Sequence, residues 1–274
     1  MRARPLSSII PVALTLGVAL IAGCPQDPAA PSSDETETET GEPSCLDANA
    51  PGEDIIINFD SDIEELQLGD CVPERILITG SVSDLSGLSG LHEVGILEIR
   101  FTPLLESLEG LEQLERVGTL IITGTGKLGE LPTFSALSEV GTIRITANDV
   151  LTDLGSFPAL SSLGNLEISS NPLLTDYSGF ETLTATTGFV ELWDAALIED
   201  MAGFEALSSV GGHLRIEDMP VLTSLDGLGV STIGNDLRIV SNPELSECLV
   251  ADFVAAASVA GATITSGNEA ALCD

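Results

Sequence analysis

Basic side chains are what this chain lacks most. Nine Lys and Arg stand against 43 Asp and Glu, a formal charge of −34. A field of that sign repels nucleic acid and anionic lipid headgroups alike, so nucleic-acid binding is excluded unless a cation intervenes. Aromatic residues make up only 4%, with one Trp and one Tyr, and any core must therefore be mostly aliphatic. Two His and five Cys with no Cys-x-x-Cys spacing leave no pattern for a structural metal site. There is no G-x-S-x-G elbow, Walker lysine or His-Glu-x-x-His, and no apolar run reaches the ~20 residues of a transmembrane helix. The apolar content nevertheless suffices for a core: 43% of the 274 residues are apolar, outside the disordered class.

Arg2 and Arg4 precede an apolar run from Ile9 to Gly23, the charge and length of a secretory signal. The run ends in Leu20-Ile21-Ala22-Gly23-Cys24, which resembles the bacterial lipobox: an aliphatic residue three positions before Cys, two small residues, then Cys. The resemblance implies that 1–23 is a lipoprotein signal peptide and that Cys24 becomes the lipidated first residue, anchoring the chain to a membrane. Pro25 stands where an inner-membrane retention signal would have Asp, which points to the outer membrane or cell surface of a bacterial envelope. Residues 25–44 are rich in Pro, Ser, Thr and acid. With Cys24 they form a lipidated, disordered acidic tether, 24–44.

From Ile76 onward the chain repeats. Aliphatic-x-aliphatic triplets begin at Ile76, Leu97, Leu120, Ile143, Leu166, Val190, Leu214 and Leu237, spaced 21, 23, 23, 23, 24, 24 and 23 residues apart. Six residues after the last member of a triplet come Leu105, Leu128, Leu151, Leu174, Ile198, Leu222 and Leu245. A column of Leu and Phe (Leu111, Phe134, Phe157, Phe180, Phe204, Leu228) stands six further on, then a closing aliphatic pair, usually with Gly after it. Alternation inside the triplet predicts a short strand with its first and third side chains inward. One coil cannot bury that face alone, whereas stacked coils make a continuous column. The expected fold is a parallel β-solenoid of about eight coils of ~23 residues.

The unit Leu-x-Ile-x-x-Asn-Pro-x-Leu-x-x-Leu-x-Gly-Leu-x-x-Leu-x-x-Val-Gly resembles the receptor L-domain repeat, a relative of the leucine-rich repeat. LEISSNPLL from Leu166 and LRIVSNPEL from Leu237 carry the resemblance. It implies a right-handed solenoid across nearly all of 45–274 and a binding rather than catalytic role. Two departures stand out. Asn-Pro occurs in only two coils, so an asparagine ladder would be broken. Leu183-Thr184-Ala185-Thr186-Thr187 lacks a closing valine, and a bulge is expected there.

An open solenoid needs capped ends. The amino-terminal cap, 45–75, holds the strand-like Ile55-Ile56-Ile57 between Cys45 and Cys71. The carboxy-terminal cap, 248–274, holds a helix-like stretch from Leu249 to Ala260, a strand-like Ala262–Thr265, and Cys248 and Cys273. The repeats occupy 76–247. In an oxidising envelope the expected disulfides are Cys45–Cys71 and Cys248–Cys273.

Gly124-Thr125-Gly126-Lys127-Leu128-Gly129 fits G-x-G-x-x-G, but Glu130, Leu131 and Pro132 come next, where a dinucleotide fold needs a helix. Of the seven Lys and Arg after Cys24, five fall on outward strand positions: Arg75, Arg100, Arg144, Arg215 and Arg238. Pairing between adjacent strands, Arg144 with Glu167 and Glu191 with Arg215, is one account of them. The other is a recognition face in which Phe189, Glu191, Trp193, His213, Arg215, Glu217 and Arg238 form one patch around an exposed Trp. The expectation is an envelope lipoprotein that binds a protein or glycan partner without catalysis, cofactor or metal. A structural envelope spacer and a carbohydrate-active β-solenoid enzyme are the alternatives.

Overall fold

The computed structural model describes residues 54–64, 66 and 74–270. The signal-peptide, lipidation and tether assignments lie outside the described residues, as do Cys24, Cys45, Cys71 and Cys273. Cys248 is disulfide-bonded.

All eight triplets are strands. With Ile55–Ile57 at one end and Thr263–Ser266 at the other they form a ten-stranded parallel sheet, its strands in chain order and joined by nine crossings. Register keeps to the repeat: Leu97 lies opposite Leu120, Leu120 opposite Ile143, and Ile143 opposite Leu166. The first and third residues of every triplet are no more than 2% exposed, so each strand buries the face that the alternation marks. The chain is therefore a β-solenoid.

The return path closes on a second, narrower sheet. Ser162–Leu163, Ala185–Thr186, Ser209–Val210, Thr232–Ile233 and Ser258–Val259 stack in parallel. In the earlier coils the closing residues and the triplet make single eight-residue strands, Glu93–Arg100, Arg116–Thr123 and Glu139–Thr146. The expected bulge at Thr186 is absent from the second sheet: Thr186 is buried in the closing position, in register with Leu163 and Val210. The extra residue is taken up in the bend at Thr187-Gly188 instead, where the Thr187 N–H still reaches the Leu163 carbonyl at 3.0 Å.

Glycine recurs after the closing residue because successive backbones touch there. A Cβ on Gly118 would lie 2.4 Å from the Gly95 carbonyl oxygen, and one on Gly141 would lie 2.4 Å from that of Gly118. Past every strand of the ten but the first the chain turns through a left-handed residue. Phe101, Ala147, Ser170, Asp194, Asp218 and Ser241 all sit there, with φ between 51° and 59°. Such a conformation costs ~1–2 kcal/mol in a non-glycine residue, and the residue after it holds the turn in place. That side chain points into the core, and where it is Asn its amide bonds the neighbouring coils. Asn148 Oδ1 accepts from the Thr125 N–H at 3.1 Å, and Asn148 Nδ2 donates to Asn171 Oδ1 at 3.1 Å. Asn242 and Asn268 form a second segment. The ladder is broken, as expected, by Ala195 and Met219. It also includes Asn148 and Asn268, neither of which precedes a Pro, because the position needs the amide and not the proline.

Phe134, Phe157, Phe180 and Phe204 stack through the interior, with ring centroids 5.2, 4.9 and 5.9 Å apart. At the far end the helix Glu247–Ala256 starts and stops earlier than the sequence suggests. Ser246 caps it by accepting from the Cys248 N–H, and Ser258–Val259 is drawn into the second sheet.

Gly141→Ala should lower stability by about 1–3 kcal/mol, since its methyl group has to displace a neighbouring backbone. Gly90, whose Cβ would meet nothing within 4 Å, is the control. Thermal unfolding should separate the two variants, and equal stability would contradict the stacking account.

Candidate recognition face

The outer face of the ten-stranded sheet carries three columns of side chains, from the middle residue of each triplet and its two flanking neighbours. The seven residues singled out from the sequence come together on three consecutive strands, Val190–Trp193, Leu214–Glu217 and Leu237–Val240, with Phe189 and His213 immediately before the first two. Parallel register places Glu191 opposite Arg215, Trp193 opposite Glu217, and Arg215 opposite Arg238.

Contacts within the patch are specific. The Phe189 and His213 rings stack with centroids 5.1 Å apart and planes 12° from parallel. The Arg215 guanidinium lies 5.0 Å above the Trp193 ring centroid, a cation–π distance. Glu217 receives both neighbouring cations: Arg215 Nε at 2.6 Å, and Arg238 through Nε at 2.8 Å and Nη2 at 2.9 Å. The paired Arg238 fork is the strong, directional kind of ion pair.

Two expectations are corrected here. Glu191 and Arg215 are opposite in register but do not pair. Glu191 takes His213 Nε2 at 2.9 Å, while Arg215 turns along its own strand to Glu217. That turn lets one guanidinium bond a carboxylate and cover the indole at once. Trp193 keeps its outward register but is half-buried rather than exposed. Its Nε1 is buried without a hydrogen-bond partner, and so is the Oγ of Ser169, which lies opposite it in register. The indole thus covers its strand neighbour as well as presenting a surface.

The remaining outward cations are paired too. Arg144 Nε reaches Glu167 at 2.6 Å, the predicted cross-strand bridge. Glu98 holds Arg100 at 3.0 Å and also bonds Arg75. Arg116, which the sequence did not single out, bonds Glu93 on the adjacent strand. Nor did it mark the middle of the face, where Thr123 and Thr146 hydroxyls meet at 3.0 Å and Asn165 Nδ2 donates to Thr142 at 3.1 Å. These side chains are uncharged, and nothing in the pattern of acidic and basic residues marks them. Exposed Leu104, Leu173 and Leu197 mark another unforeseen column, on the turn after the strand. Their trace in the sequence is an apolar residue two places after the buried turn residue (Thr102, Asn171 or Ala195), where the inward pattern needs none.

The glycine-rich Gly124–Gly129 segment is a solenoid turn. Thr125 belongs to the polar ladder, Lys127 is paired with Glu106 at 2.6 Å, and no helix begins there. Among the described residues no cluster of three or more His, Cys, Asp or Glu is disposed to hold a metal ion, and no helix is long and apolar enough to cross a membrane. Compared with family models, curated proteins and solved structures, the chain gives no match.

Arg238, and after it Arg215, holds the Glu217 carboxyl at about 2, well below its ordinary 4.5, against the opposing effect of its burial. A carboxylate depressed in the folded state stabilises the fold above its unfolded value and loses that contribution as pH falls toward the folded one. The Arg–Glu–Arg contribution should therefore be complete above about pH 4.5 and fade toward about pH 2. Carboxyl NMR titration should place the Glu217 midpoint near 2, and Arg238→Ala should move it upward. An ordinary midpoint in the parent would contradict the bonding described.

Proposed function

We propose that the chain is a bacterial envelope lipoprotein whose receptor L-domain-like solenoid is a non-catalytic binding module for a protein or glycan partner. One observation carries this reading: on a chain of charge −34, cations and aromatic rings are gathered on one face of the sheet, with Phe189, Trp193, His213, Arg215 and Arg238 contiguous across three strands. Aromatic and Arg side chains are what recognition surfaces enrich, and with two Arg set against Glu191 and Glu217 the patch is a near-neutral island in an acidic field. The stacked Phe189–His213 pair and the Arg-covered indole present a preorganised surface, which lowers the entropy lost on binding. The lipobox and the acidic tether would hold this face away from the membrane. Disulfides Cys45–Cys71 and Cys248–Cys273 would staple the two caps.

The structural-spacer reading is favoured by a different observation, that Glu217 and its two Arg satisfy one another. The two readings differ under mutation. A glycan array and affinity capture from envelope extract should yield a partner for the mature chain. Trp193→Ala and Arg215→Ala should each weaken its binding by ~2 kcal/mol or more, the cost of losing a central interface anchor. Trp193→Ala should also lower stability by ~1 kcal/mol, because the half-buried ring has packing partners. Undiminished capture by both variants would assign the ladder to structure alone.

A further inference from the structure

The last strand, Thr263–Ser266, ends the sheet and is exposed along its whole length. Its inner edge is fixed by pairing with Leu237–Val240. The Leu237 N–H donates to the Ala262 carbonyl at 2.9 Å, and the Ser241 N–H to the Ser266 carbonyl at 2.8 Å. Backbone groups alternate sides along a strand, so residues 262, 264 and 266 point into the sheet. Thr263 and Thr265 then point their N–H and C=O groups away from it. Among the described residues no strand pairs with that edge. Proteins usually protect such edges with charge, proline or a covering element. Among the described residues that protection is missing: Phe253 to Asn268 contains no Pro and no ionisable side chain, the longest such uncharged stretch among them. Beside the strand a groove of about 470 Å³ opens between it and the helix Glu247–Ala256, lined by Val250, Val254, Thr263 and Thr265 with Glu247, its one charged residue, at the helix start.

We infer that this end of the solenoid is a self-association surface, and that its occupant is the same strand of a second copy, antiparallel across a two-fold axis. The edge is its own complement. Setting Thr263 opposite the partner's Thr265, and Thr265 opposite the partner's Thr263, pairs the outward groups in two hydrogen-bonded steps. The axis then passes between the two copies of residue 264. That is a non-hydrogen-bonded step, in which side chains approach most closely, and Ile264, 42% exposed on the outer face, meets its own copy. The two grooves open on the same side of the joined sheet and run together. Charge selects this end. Copies of −34 repel wherever acidic surfaces meet, and the opposite edge strand, Ile55–Ile57, is flanked by Asp54, Asp60, Asp62 and Glu64. A two-fold contact also closes on itself, whereas joining one end to the other would build open fibres.

The test uses the full chain in its membrane or detergent. Cα atoms facing each other at a non-hydrogen-bonded antiparallel step lie ~4.5 Å apart, within disulfide reach. Ile264→Cys should therefore convert most of the protein to a dimer under mild oxidation, seen on a non-reducing gel. Leu197→Cys, equally exposed at 42% but on the turn column, should not do so. Sedimentation of the parent should show a monomer–dimer equilibrium that shifts toward dimer as salt rises, because screening weakens the repulsion. Thr265→Pro, which removes an outward N–H without breaking an internal bond, should weaken the dimer tenfold or more while the melting temperature of the monomer stays unchanged. Ile264→Asp should do the same by placing two charges face to face. Cross-linking of Ile264→Cys no faster than Leu197→Cys overturns the inference, as does a parent that sediments only as monomer. A ladder of higher oligomers overturns it in favour of end-to-end stacking.

Discussion

The structure depends on one constraint: no single coil can bury its own apolar face. Each triplet contributes two inward aliphatic side chains, and these are sealed only by the equivalent side chains one strand away. Stability in such an array is a sum over neighbour interfaces, so every recurring feature serves to keep the coils in register. The glycines beside Val117 and Val140 let backbones touch. In most coils the left-handed residue after the strand aims a buried polar side chain at the coil before it. The Phe134–Phe204 stack runs through the interior with one planar ring per coil.

The same register decides what the outside can do. Because parallel strands place equivalent positions directly beside one another, any outward residue acquires two neighbours fixed by the repeat. On an acidic chain the few Arg become ion-pair ties, most of them across strands, and Glu217 is held ionised between one from its own strand and one from the next. The patch that results is rigid. Its aromatic members are packed as well as displayed, since Trp193 is roofed by Arg215 and its indole nitrogen is buried. A face of this kind is suited to recognising a shape, and its contribution to stability and its contribution to binding rest on the same side chains.

The fold was legible in the sequence because a 23-residue period leaves few alternatives once two inward positions per strand are aliphatic. The eight triplets, the Phe column and the outward position of Trp193 could all be read by counting. Three things could not. Whether Arg215 bonds Glu191 or Glu217 depends on rotamers and on the pull of the Trp193 ring, not on spacing. The asparagine ladder is longer than Asn-Pro marks it, because Asn148 and Asn268 do the same work before Asp and Glu. The Thr123–Thr146 hydroxyl pair carried no charge by which to notice it.

If register is the governing constraint, the chain should tolerate loss of a whole coil but not of a fraction of one. Deleting 120–142 joins Thr119 to Ile143, two residues that already succeed each other in the repeat, as Thr119 and Leu120 do. Deleting 120–131 instead removes about half a coil with its strand, so Pro132-Thr133-Phe134 falls where Leu120-Ile121-Ile122 stood, a mismatch that no single bend such as Thr187-Gly188 absorbs. Thermal unfolding monitored by circular dichroism measures both. The first deletion should unfold cooperatively at a modestly lower temperature, and the second should lose the cooperative transition. Equal behaviour of the two deletions would contradict register as the governing constraint.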